Sequence, residues 1–195
     1  MIRTEPRLPR VSRKDAPPNV AAIFDHYMQT RGNVPNMFRT VALRPEIFET
    51  MIAHFQAILN TGTLPTRLKE LVIVRTSQLN ACRYCLGSHT QIARKLGWTD
   101  DQIDNLAEYA TRDDFTPAEK VALRLAEEMT LDANKISDAF FAEVRSHYSE
   151  GEVVELMAAI GLFNYFNRFN NALRMEPTKP GEGAATEQEA AVKMA

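Results

Sequence analysis

Four residues of this chain have the types and spacing to do thiol chemistry: Glu70, Cys82, Cys85 and His89. If residues 80–95 form a helix, Cys82 and Cys85 stand at i and i+3, and Cys85 and His89 at i and i+4. All three then face one side. Helical i,i+3 Cα atoms lie about 5 Å apart, inside the range a disulfide needs. His89 sits one turn above Cys85, close enough to take its proton directly or through one water. Asn80 is placed to cap this helix, which puts both cysteines in the first turn. There the dipole and unpaired N–H groups favour a thiolate, and Arg83 adds positive charge. Glu70 belongs to the preceding helix, where the helical wheel sets it between Ile73 and Val74 and near Ser77. A carboxylate on so apolar a flank is costly unless paired. His89 is one candidate partner and would become a better base for Cys85; Arg67, one turn back, is the other.

Each residue alone has an ordinary reading. A C-x-x-C pair arises by packing, a helix histidine sits in a core or on a surface, and a helix glutamate is solvated or paired with arginine. Their convergence on one face favours chemistry. Zinc is a second reading, with Cys82, Cys85, His89 and Glu70 as ligands, but no second C-x-x-C or distant His pair completes a usual structural site. A thioredoxin-like site would need a βαβ pattern, which is missing around the motif. His26 and His54 fall in apolar-periodic stretches and read as structural, and His147 reads as a capping or surface residue. Phe163, Tyr165, Phe166 and Phe169 read as core or subunit interface. The intervening Asn164, Asn167, Asn170 and Asn171 are odd for a buried helix and suggest hydrogen bonds across an interface.

The elements that must hold these residues are helical. The 195 residues are 45% hydrophobic and 25% charged, an ordinary globular balance. With 23 basic and 25 acidic residues the net charge is −2, which gives no electrostatic case for nucleic acid. Two cysteines are too few for a disulfide scaffold. The apolar run from Leu156 to Phe163 is too short to span a bilayer, and the N-terminus lacks the apolar core of a signal peptide. A reducing cytoplasm is the expected compartment, with no membrane partner. Residues 1–18 hold Arg3, Arg7, Arg10, Arg13 and Lys14 against Glu5 and Asp15, with Pro6, Pro9, Pro17 and Pro18, and read as an irregular arm that lies on a neighbour or stays loose. Residues 176–195 lack any apolar period and read as a disordered tail. Between them, residues 19–175 punctuate as helices starting near Pro45, Pro65, Asn80, Thr99, Thr116, Ser137 and Ser149. Thr99 with Gln102 and Thr116 with Glu119 form capping boxes. Val72-Ile73-Val74 also suits a buried strand, but the length and spacing around it favour helix. The fold class is all-α, a single domain of about seven or eight helices.

The spacing of Glu70, Cys82, Cys85 and His89 resembles the signature of the alkyl hydroperoxidase D-like group within the carboxymuconolactone decarboxylase superfamily. Gly32-Asn-Val-Pro-Asn-Met-Phe38, Leu43-Arg-Pro-Glu46, Leu64-Pro-Thr-Arg67, Tyr84 and Phe163-Asn-Tyr-Phe-Asn-Arg-Phe169 resemble its peroxidase-related branch. The resemblance covers about residues 20–175.

It implies an alkyl hydroperoxidase D-like helical fold, a homo-oligomer (trimer or hexamer), and a thiol peroxidase or peroxiredoxin-type antioxidant cycle without metal, haem or nucleotide cofactor. Cys85 would be the peroxidatic nucleophile, Cys82 the resolving cysteine, His89 the base and Glu70 the end of the proton relay. The partners implied are a hydroperoxide and a dithiol reductant of thioredoxin or lipoyl type. One position departs: the best-known hydroperoxidase D has a His immediately before its second cysteine, and this chain has Tyr84, which predicts slower peroxide turnover. The decarboxylase branch lacks the cysteine pair, so lactone decarboxylation is not expected. Two other functions use the same residues: a dithiol electron adaptor for another peroxidase, and a non-catalytic redox-sensing or binding oligomer.

Overall fold

The computed structural model describes residues 5–184, and among these the regular structure is helical throughout. Nine α-helices follow in order: α1 (Pro18–Arg31), α2 (Asn36–Val41), α3 (Pro45–Asn60), α4 (Thr66–Leu79), α5 (Arg83–Lys95), α6 (Asp100–Asp104), α7 (Pro117–Asp132), α8 (Asp138–His147) and α9 (Glu150–Leu173). Three single 3-10 turns accompany them. The count exceeds the seven or eight expected; α1 and the six-residue α2, neither with a side-chain cap, lie ahead of the first helix start read near Pro45. Val72, Ile73 and Val74 are helical and fully buried. Among the described residues no helix is long and apolar enough to cross a membrane.

The chain divides into two compact units, and the boundary falls within α3 and α9. One unit comprises residues 55–169. Its core is built by α4, α5, α7, α8 and α9, which contribute Leu71, Val72, Ala93, Leu123, Leu125, Val144, Leu156 and Ile160 among others. The apolar period of α7 puts Val121, Ala122, Leu125 and Ala126 inside. The two expected capping boxes are formed, Thr99 with Gln102 and Thr116 with Glu119. Trp98, 2% exposed, donates its indole N–H to the Arg67 carbonyl at 2.9 Å and lies under the Arg67 guanidinium. Glu119 pairs with that guanidinium at 2.7 Å, so Arg67 is engaged away from Glu70.

The other unit holds residues 5–54 and 170–184. Phe24, Phe38 and Phe48 pack edge to face in its core. The arginine-rich arm is bound by its own chain: Arg7 donates to the Ala172 and Leu173 carbonyls, Arg10 pairs with Glu176 and Glu182, and Arg13 with Asp25. Pro18 opens α1 at its first turn, where a missing N–H is harmless. The tail expected to be disordered is tied down as far as residue 184, with Val34 N–H donating to the Glu182 carbonyl and Asn36 N–H to the Thr178 hydroxyl. The rest of that expectation, residues 185–195, lies outside the described residues. His26 and His54, read as structural, are exposed, as is His147 at the end of α8.

Candidate active site

The site is built where α4 hands over to α5. Asn80 does not cap α5; it closes α4. Ala81 follows with φ of 50°, a left-handed conformation rare outside glycine. Its N–H donates to the Gln78 carbonyl at 3.0 Å and the Cys82 N–H to the Ser77 carbonyl at 2.9 Å. This 5→2 and 6→1 pair is the Schellman ending of a helix. The reversal makes Cys82 the N-cap of α5 rather than a residue of its first turn.

A cysteine at an N-cap has its sulfur where a capping oxygen would be. Cys82 Sγ accepts the Cys85 main-chain N–H at 3.4 Å. The two sulfurs are 2.9 Å apart and remain thiols. Both cysteines are buried, Cys82 fully and Cys85 to within 4%. The Cys85 thiol is the main influence holding the Cys82 pKa down at about 7. Burial pushes the other way, and the Cys85 N–H, the Asn167 amide and the Tyr84 N–H add to the lowering.

His89 lies one turn beyond Cys85 on α5, and its Nδ1 meets Glu70 Oε2 at 2.7 Å. Glu70 comes from α4 and is 2% exposed. A carboxylate only accepts, so Nδ1 carries the hydrogen and Nε2 is left for proton transfer. Phe163 of α9 sets its ring edge to face with the imidazole, centroids 4.7 Å apart. The geometry thus brings together both cysteines as one pair and His89 with Glu70 as another, on adjoining helices. Among the described residues no group of three or more His, Cys, Asp and Glu side chains is arranged to hold a metal ion.

The sequence profile of the Carboxymuconolactone decarboxylase family matches residues 45–128. Over 106 residues, 54% of this chain, the sequence is 39% identical to the uncharacterized protein YdfG of Bacillus subtilis (strain 168), covering 72% of that protein. The chain belongs to the carboxymuconolactone decarboxylase family. Its fold matches the alkylhydroperoxidase AhpD core of an uncharacterized peroxidase-related protein from Ralstonia eutropha JMP134, with a TM-score of 0.80 and 26% identity over 89% of this chain and 93% of that one. The debrominase Bmp8 shares the fold, with a TM-score of 0.77 and 24% identity over 92% of this chain and 96% of that chain. The resemblance read from the motif is borne out at the level of family and fold.

Within this carboxymuconolactone decarboxylase family chain, sequence reasoning missed what lies behind the dithiol. Asn164 and Asn167 of α9 were expected to reach across an interface, yet they bond inside their own unit. Asn80 Nδ2 donates to Asn164 Oδ1 at 2.9 Å and to Asn167 Oδ1 at 3.2 Å, and Asn164 Nδ2 donates to Thr130 Oγ1 at 3.0 Å. The Asn167 amide and the Ser77 hydroxyl are hydrogen-bonded at 3.1 Å. The signal was present as two asparagines three residues apart among the aromatic residues of α9, without indication of what they met.

Proposed function

We propose that this protein is a thiol-dependent hydroperoxidase. The observation that carries the reading is the close sulfur pair at a helix start, 2.9 Å apart, beside a histidine oriented by a buried carboxylate. The Cys85 sulfur attacks one peroxide oxygen. The O–O bond breaks, the leaving alkoxide takes a proton relayed through His89 and departs as alcohol or water, and Cys85 is left as a sulfenic acid. The Cys82 thiolate attacks the Cys85 sulfur, hydroxide leaves and is protonated to water, and a Cys82–Cys85 disulfide remains. A dithiol reductant reopens it by exchange.

The lowered pKa of Cys82 supports its resolving role. A sulfur already ionised near neutrality attacks the sulfenic acid without further activation. It is also the better leaving group when a reductant thiol attacks Cys85. Cys85 is the cysteine one helical turn from His89 on α5. The resemblance supports a homo-oligomeric working form, and the cycle calls for a reducing compartment such as the cytoplasm, with a thioredoxin- or lipoyl-type dithiol as reductant. The family's decarboxylase name does not supply a role for two thiols.

The test is consumption of hydrogen peroxide and of an organic hydroperoxide by the reduced protein with a dithiol supplied. Turnover should vanish in Cys85→Ser. In Cys82→Ser, one equivalent of peroxide should leave a sulfenic acid on Cys85 that a dimedone probe traps. Intact mass of the wild type should drop by two hydrogens. A disulfide that forms without turnover would move the reading to the dithiol adaptor, and full turnover in Cys85→Ser would exclude the assignment.

A further inference from the structure

The residue that turns the chain from α4 into α5 is strained. Ala81 has φ of 50°, in the left-handed region, where a residue with a Cβ is disfavoured by an amount that shifts an equilibrium about tenfold. Such strain persists only where the surroundings impose it. Ala81 is exposed, so packing of its own methyl does not hold the turn. The chain on either side is pinned instead. Downstream, Cys82 caps α5 and donates its N–H back to the Ser77 carbonyl at 2.9 Å. Upstream, Asn80 closes α4, and its Nδ2 donates to the Thr76 carbonyl at 3.1 Å and to Asn164 Oδ1 of α9 at 2.9 Å. Asn164 Nδ2 donates in turn to the Ile160 carbonyl at 3.2 Å and to Thr130 Oγ1 of α7 at 3.0 Å. Carbonyl oxygens only accept, so Thr76 and Ile160 fix which way these two amides are turned. Asn164 and Thr130 are buried and Asn80 is half-buried. One residue is left between the two pinned points, and it must make the whole reversal. Without the tie at Asn80, the last turn of α4 would fray and spread the reversal over several residues with ordinary φ values.

We propose that Asn80 is the positioning residue of the resolving cysteine: by tying the end of α4 to α9 it holds the left-handed turn at Ala81, which seats the Cys82 sulfur 2.9 Å from that of Cys85 and favours closure of the disulfide. The inference rests on the reading of Cys82 and Cys85 as a redox pair. Oxidised dithiothreitol closes that pair by exchange. The Cys82–Cys85 bond forms and the ring disulfide of the reagent opens. Two electrons pass from the cysteine sulfurs to the reagent, whose sulfurs take up the two protons. In the wild type the turn is in place before the bond forms. With the tie cut, the reduced pair relaxes and closing the disulfide must restore the strained turn.

The experiment measures the thiol–disulfide equilibrium against dithiothreitol in the full-length wild type, Asn80→Ala, Ala81→Gly and the double variant. In Asn80→Ala the equilibrium constant for disulfide formation should fall about tenfold, the weight of one left-handed alanine. Glycine takes that conformation without strain, so Ala81→Gly should stay within about threefold of the wild type, the difference being its extra backbone freedom. Adding Asn80→Ala to Ala81→Gly should then change little, again within about threefold. A merely structural network would not give this cancellation, because Asn164 loses the same partner in both backgrounds. Asn164→Ala cuts the tie at its far end and repeats the comparison if Asn80→Ala does not fold. An unchanged equilibrium on cutting the tie, or an equal loss with and without Ala81→Gly, would overturn the proposal. None of these readouts uses peroxide. Turnover that vanishes in Cys85→Ser alongside an indifferent Asn80→Ala keeps the hydroperoxidase reading and removes this one. The expected cancellation in a protein that consumes no peroxide does the reverse.

Discussion

Glu70 acts on the chemistry only through His89, and this fixes an order among substitutions. Its carboxylate, 2.7 Å from Nδ1, holds the imidazole with Nε2 available for proton transfer. Removing the base in His89→Ala should lower peroxide turnover about 10²-fold or more. Glu70→Gln can still turn an amide oxygen to the Nδ1–H, so it should lose only about tenfold, part of what a general base contributes. Stopped-flow peroxide consumption measures both, and a larger loss in Glu70→Gln than in His89→Ala would contradict the relay. These residues were legible because chemistry and helical period coincide over twenty residues of sequence. Asn167 was not, since it arrives from 82 positions after Cys85 by tertiary packing, which no local period encodes. The sequence reading also put the thiolate-favouring position inside the first helical turn. The N-cap geometry instead concentrates hydrogen bonds on the Cys82 sulfur.

At the scale of elements, the join between α4 and α5 was read too early because its usual marker is absent. A glycine normally takes the left-handed position that ends a helix, and here that residue is Ala81. Asn80, a good cap residue by type, therefore looked like the start of α5. The position of α4 also depends on a buried charge. Lys69, 1% exposed, donates to the Ile58 and Thr61 carbonyls at 2.8 Å and pairs with Glu155 of α9. The same carboxylate accepts the Thr63 and Leu64 N–H groups at 3.1 and 3.3 Å. Gly62 has φ of 88°, and any Cβ there would strike the Glu155 carboxylate. Glu155→Ala leaves Lys69 buried and unpaired, which should cost about 3–5 kcal/mol, a large part of the roughly 5–15 kcal/mol by which a domain is stable. Lys69→Met combined with Glu155→Leu should recover most of it. Urea unfolding of the two proteins decides; a double variant no more stable than Glu155→Ala would show that the ammonium is not the source of the loss.

For the molecule as a whole, the all-α class was legible because capping boxes and helix-opening prolines punctuate the chain. The binding of the arm was not, since Arg10 meets Glu176 and Glu182 across more than 160 positions of sequence. The redox pair gives the whole chain a measurable property. Cys82 has a folded pKa of about 7, below the ordinary 9.0. A depressed pKa contributes stability that is complete above the unfolded value and is lost as pH falls through the folded one. Between pH 6.5 and 8.5 the unfolded reduced chain holds a proton on Cys82 that the folded chain has released, so stability rises with pH by about 2 kcal/mol. The oxidised protein has no thiol to titrate there. Its disulfide constrains the unfolded chain by an amount that does not depend on pH. The difference in unfolding free energy, reduced minus oxidised, should therefore climb by about 2 kcal/mol from pH 6.5 to 8.5. Urea midpoints of both forms at the two pH values measure it. Ionisable groups other than the two cysteines are common to the two forms and cancel to first order, so a flat difference would mean that the folded protein does not favour a thiolate at the pair.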